Sequence, residues 1–144
     1  MLALVTALAT GWIGWQELWA RGGDRPLVWR DLTGRTVAEP TRSRLSTFED
    51  RAALRAALGS SATVPAIDFE QRTAVLVAAG PRSSSAYALD LVGVTEERRR
   101  IVVRLREQAP TPARPGVAVL AFPFRLLTIA RTEKPFVLDW VGRP

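Results

Sequence analysis

Residues 71–107 read QRTAVLVAAGPRSSSAYALDLVGVTEERRRIVVRLRE, and the fold turns on how this stretch is parsed. An apolar run, residues 73–79, stops at Gly80-Pro81. A small polar loop, Arg82-Ser83-Ser84-Ser85, follows, and Ala86 and Tyr87 restart an apolar alternation. Charged residues 96–100 make the next turn, after which Ile101, Val103 and Leu105 alternate with Val102, Arg104 and Arg106. Period-2 alternation bounded by turn residues is the signature of strands. The stretch therefore predicts three consecutive antiparallel strands with two connections, the last strand having one covered and one wetter face.

Working outward, residues 66–69 (AIDF) are extended, with Ile67 and Phe69 on one side and Asp68 on the other. Upstream, residues 43–47 form a strand that leads into a helix. Thr47 is its expected N-cap, Glu49 and Asp50 fall in the first turn, where the helix dipole favours acids, and Gly59 closes it. Ala53, Leu54, Ala57 and Leu58 give that helix one apolar stripe. Residues 27–29 are a short apolar run expected at a sheet edge, and residues 31–42 are loop-like. Downstream, QAPTPARP at residues 108–115 is a stiff loop. Residues 117–120 are predicted as a fourth strand, 126–130 as a fifth and 136–140 as a sixth, with Trp140 in phase with Phe136 and Leu138 on the core side. Phe122-Pro123-Phe124 interrupts the run, since proline cannot donate within a ladder. The sum is a mainly β (α+β) domain over residues 27–144: an antiparallel β-sandwich or small barrel-like sheet with one short helix.

Residues 1–26 form a separate N-terminal segment and linker. Residues 1–15, MLALVTALATGWIGW, carry no charge, fewer than the roughly 20 residues that span a bilayer as a helix. Two readings compete: a signal or anchor segment, which is favoured and makes the protein extracytoplasmic, and a short apolar helix packed on the domain. Trp12, Trp15 and Trp19 share one helical face, which fits membrane contact through residues 1–19 and equally a buried stripe.

Composition removes most chemistry. The 144-residue chain has no cysteine and no histidine, and its carboxylates are scattered. Histidine bases, Ser-His pairs, cysteine nucleophiles and zinc ligand sets are thereby excluded, so neither a metal nor an organic cofactor is expected. The net charge is +6 and Lys134 is the only lysine. Arginine used in place of lysine, beside abundant Ala, Gly, Val and Pro, reads as the coding bias of a GC-rich genome. The positive charge is spread along the chain and runs together only at residues 98–100, so nucleic acid is not the expected partner. Ser83, Ser84 and Ser85 with Lys134 as base would make a Ser-Lys pair, but no S-x-x-K or G-x-S-x-G context is present and a polar turn is the better reading. Tyr87 alternates with Leu89 and Leu91 and is placed in the core in preference to a recognition surface. Arg82 marks the loop tip, where short polar connections on a rigid sheet carry contacts. Phe122 and Phe124 are read either as a partner-binding wedge or as a buried corner.

The order of these motifs resembles the PrcB-like proteins, named for a protease complex subunit, in its C-terminal domain. The likeness rests on residues 48–54 (FEDRAAL), 64–69 (VPAIDF), 80–87 (GPRSSSAY) and 121–129 (AFPFRLLTI), and it extends over residues 43–140. It departs at the corner, where the family's Thr-Gly-Gly before the tyrosine is Ser84-Ser85-Ala86 here. Either the corner takes another turn type or a ligand role of those glycines is lost. The resemblance implies a non-catalytic extracytoplasmic accessory protein with a protein partner, a secreted or surface protease. The expected contact residues are Arg82, Ser83, Ser84, Ser85, Tyr87, Phe122 and Phe124. The same corner resembles chagasin-type cysteine protease inhibitors in one loop, which implies the alternative of an inhibitor acting through residues 80–87.

Overall fold

The computed structural model describes residues 23–142; the apolar segment of residues 1–19, with its tryptophans, lies outside them. In chain order the elements are β1 (Arg25–Pro26), β2 (Arg30–Asp31), a 3-10 turn (Thr33–Arg35), β3 (Arg44–Phe48), α1 (Arg51–Leu58), β4 (Arg72–Ala78), β5 (Ala88–Glu96), β6 (Ile101–Gln108), β7 (Phe124–Ala130) and β8 (Phe136–Trp140). They form two four-stranded sheets, ordered β1-β5-β6-β8 and β2-β7-β4-β3, packed as a sandwich. Among the described residues no helix is long and apolar enough to cross a membrane.

The expected three-strand meander is not what forms. β4 pairs with β3 and β7, while β5 pairs with β1 and β6 in the other sheet. The reason is burial. Residues 73–78 of β4 are all buried, so the strand is covered on both faces and sits centrally, with partners on both edges. Val75 and Val77 face the inter-sheet core with Leu127 and Ile129, whereas Ala74 and Leu76 face outward beneath α1. The polar corner is thus a crossover between sheets. A hairpin would need only two to five residues, and the nine of 79–87 span the sandwich instead.

The second sheet keeps the expected alternation. Ile101, Val103 and Leu105 are fully buried and Arg104 and Arg106 are exposed. A bulge in β5 between Leu91 and Gly93 leaves Val92 out of register and half-exposed. It shifts the inward phase from Leu89 and Leu91 to Val94, so both halves of a nine-residue strand reach the same core. β8 pairs with β6 in parallel, the one parallel ladder among the described strands. Phe136, Leu138 and Trp140 pack on the inter-sheet core as their alternation predicts.

Three local expectations change. Thr47 stays in β3, where it pairs with Val75, and the helix cap is Asp50, whose Oδ1 accepts from Ala53 N at 2.8 Å. A carboxylate in extended conformation satisfies an orphan amide that the ladder-bound threonine cannot reach. Residues 27–29 are not a strand; they link β1 to β2 between the sheets, and Leu27 and Trp29 pack on the core. Residues 117–120 are also not a strand, for reasons that lie in the loop facing the corner.

Candidate functional site: the corner and the loop that covers it

Ala79 leaves β4 donating its amide to Pro123 O at 2.9 Å. Gly80 then takes φ +80°, a left-handed angle open to glycine, and the chain turns over Ser43. From there, corner and loop are stitched together. Arg82 N donates to Ala121 O at 2.8 Å, and Ala121 N returns to Arg82 O at 2.9 Å. Ser85 N donates to Val117 O at 3.0 Å, while Val117 N donates to Ser85 Oγ at 2.9 Å. Ser84 Oγ donates to Pro115 O at 3.2 Å and accepts from Ala86 N.

This explains the Ser-Ser-Ala sequence. No described non-glycine residue has positive φ, so the corner takes a turn that serine and alanine adopt freely. In the covering loop, Gly116 takes a positive φ of +68°. A Cβ there would lie 2.5 Å from Ser84 Oγ and 2.6 Å from Ala86 N. Gly116 is therefore what allows the loop to approach the corner.

The expected contact residues divide sharply. Arg82 does not reach outward: its Nε donates to Glu107, and its guanidinium lies 5.9 Å from the Tyr87 ring centre. The Glu107 carboxylate is nearly buried, with 5% of its side chain exposed. That hydrogen bond is the largest influence holding the Arg82 pKa above its ordinary value, against opposing desolvation. Tyr87 is half-buried under Arg82 and stands outside the core clusters, so its expected place in the core is corrected: the strand starts one residue later and the ring serves as a platform for the guanidinium. Ser84 is buried and occupied within the corner; Ser83 and Ser85 are exposed. Phe124 opens β7 and packs half-buried against the outer core, and Phe122 is half-buried in the loop. The Ser-Lys pairing is not assembled. Lys134 Nζ sits 2.8 Å from Glu96 Oε1 and donates to Glu97 O, at the far end of β5, roughly 26 Å from the corner by strand rise.

The residues that sequence reasoning missed are Val117, Val119 and Leu120. They belong to the segment expected as a fourth strand, and they are 63%, 45% and 69% exposed in a loop. Prolines at 110, 112, 115 and 123 hold residues 109–123 in a non-ladder conformation; the backbone groups of Thr111 and Arg114 pair with each other, and those of Val117 and Ala121 pair with the corner. That proline spacing was the available signal. Among the described residues no three acidic side chains are grouped to hold a metal ion.

Residues 73–130 match the family model described as PrcB C-terminal, the family to which the motifs point. The match covers less than half of the chain and runs from β4 to the end of β7, so it contains both the corner and its covering loop. It connects this span with a protease complex subunit family. No curated protein and no solved structure matches the chain.

Proposed function

We propose that the domain is a non-catalytic protein-binding module, an accessory to a protease, and that it meets its partner with the loop covering the corner. The observation that carries this is the exposed triplet Val117, Val119 and Leu120 on a backbone pinned by hydrogen bonds to a rigid sheet crossover. Apolar side chains held out into water cost free energy that a partner's surface recovers, and a pinned loop loses little entropy on binding. The uncharged residues 1–15 support an extracytoplasmic, membrane-attached or secreted setting for that partner.

The inhibitor reading has less support. An inhibitory corner needs protruding side chains, and Arg82 is folded back on Glu107 while Ser84 is buried.

Photo-cross-linking from position 119 in native envelopes, with the exposed position 92 at the β5 bulge as the control, tests the proposal. A discrete protease-containing adduct is expected from 119 alone, abolished by Val117→Ser with Leu120→Ser. Equal adducts from both positions would sink it. Inhibition of a panel of cysteine and serine proteases by the isolated protein would instead favour the corner as an inhibitory loop.

A further inference from the structure

The outer face of the β2-β7-β4-β3 sheet is covered unevenly. α1 lies over Ala74, Leu76 and Leu126. Beyond it the register sets Arg30 of β2 across from Thr128 of β7, and Thr128 across from Ala74 of β4. Directly paired residues share a face, and so do residues two apart in one strand, which puts Arg30, Thr128 and Arg72 on this same outer face. With Arg35 from the 3-10 turn, Leu32 and Ile67 they line a cleft of about 450 Å³. That volume falls in the range of small-ligand sites.

The three guanidinium groups are held differently. Arg72 is fixed: Nε donates to Thr128 Oγ1 at 2.9 Å and Nη2 to Thr128 O at 2.8 Å. The side chains of Arg30 and Arg35 make no hydrogen bond or ion pair among the described residues. The single acid in the lining is Asp68, whose Oδ1 already accepts from Glu70 N at 3.1 Å. Several arginines elsewhere in this fold have carboxylate partners, as Arg82 has Glu107, Arg104 has Asp139 and Arg131 has Glu49, while Arg44 of β3 and Arg106 of β6 stand singly on their strands among the described residues. The cleft differs in gathering three arginines around one acid. Here three positive charges meet one negative charge beside an apolar wall. Guanidinium forks match the planar oxygens of carboxylates and phosphates, and such charge-assisted bonds are about twice as strong as neutral ones.

We propose that this cleft binds an oxyanion, a phosphate or carboxylate group carried by a small ligand, with Arg72 as the fixed donor and Arg30 and Arg35 closing on it. Leu32 and Ile67 take the ligand's apolar body. The site lies on the outer face of the sheet and does not depend on the partner-binding reading.

Titration of the full chain with pyrophosphate, and separately with succinate, followed by NMR at about 50 mM salt, tests this. Saturable shifts are expected at the Arg72 Nε–H and the Asp68 amide. Saturation by pyrophosphate alone assigns a phosphate ligand, and by succinate alone a carboxylate. Arg30→Gln and Arg35→Gln should each weaken binding about tenfold, the loss of one charge-assisted contact. Arg55→Gln, on the exposed side of α1, should leave it unchanged. Because neither cleft side chain is bonded internally, both variants should melt as the parent does. Absence of saturable shifts with both probes, or equal weakening by Arg55→Gln, overturns the proposal.

Discussion

Gly116→Ala is the sharpest probe of the corner and its covering loop. The substitution meets two separate costs. At φ +68° an alanine sits in the left-handed region, which costs roughly 1–2 kcal/mol. Its Cβ would also stand 2.6 Å from both Ala86 N and Ala86 Cβ. Neither atom is the end of a flexible side chain, so the loop must lift. Lifting breaks the bonds of Ser85 N to Val117 O, Val117 N to Ser85 Oγ and Ser84 Oγ to Pro115 O. Each contributes about 1 kcal/mol net, less where water replaces the lost partner. The expected total is about 3–5 kcal/mol, or roughly 10–15 °C in melting temperature for a domain of this size. Guanidinium unfolding followed by tryptophan fluorescence measures the first, and amide hydrogen exchange at Arg82, Ser85 and Ala121 locates it. Gly34→Ala is the control: its φ is not positive and its Cβ would meet nothing within 4 Å, so a change within about 0.5 kcal/mol is expected. If Gly116→Ala costs no more than Gly34→Ala and those three amides keep their protection, the loop is not held as described.

Thr73→Val should stabilise the protein by about 1 kcal/mol, because the Thr73 hydroxyl is buried with no hydrogen-bond partner among the described residues and its desolvation is uncompensated; a lower denaturation midpoint would contradict this. Acid unfolding should report Glu96, whose pKa is held below its ordinary value of 4.5, first by the hydrogen bond from Lys134 and next by that from Arg25. A depressed folded-state value means the stabilisation is complete above the unfolded value and is lost as pH falls through the lower folded one. Glu96→Gln should thus flatten the stability profile below about pH 4.5 and make it less sensitive to salt, whereas an unchanged acid limb would show that the carboxylate is not coupled to folding.

Much of this protein was written locally. The polar break at Gly80-Pro81, the alternation of Ile101, Val103 and Leu105, the helix over Leu54 and Leu58, and the inward phase of Phe136, Leu138 and Trp140 all follow from spacing, and each appears in the fold. Composition excluded histidine and cysteine chemistry on its own. Strand pairing was not local. Residues 73–79 look the same to a sequence reader whether their neighbour is β5 or β7, and what decides is that both faces of β4 need cover, which only α1 and the opposite sheet provide. The same holds at the candidate sites. An apolar VAVL is a strand by pattern, yet four flanking prolines and the corner's hydrogen-bond demand turn it into an exposed loop. Arg30, Arg35 and Arg72 are scattered in the chain and converge only because β2, β7 and β4 are neighbours. Periodicity determines which residues want burial and where the chain turns; long-range pairing decides what is placed beside what, because it depends on partners tens of residues away competing for the same edge and face.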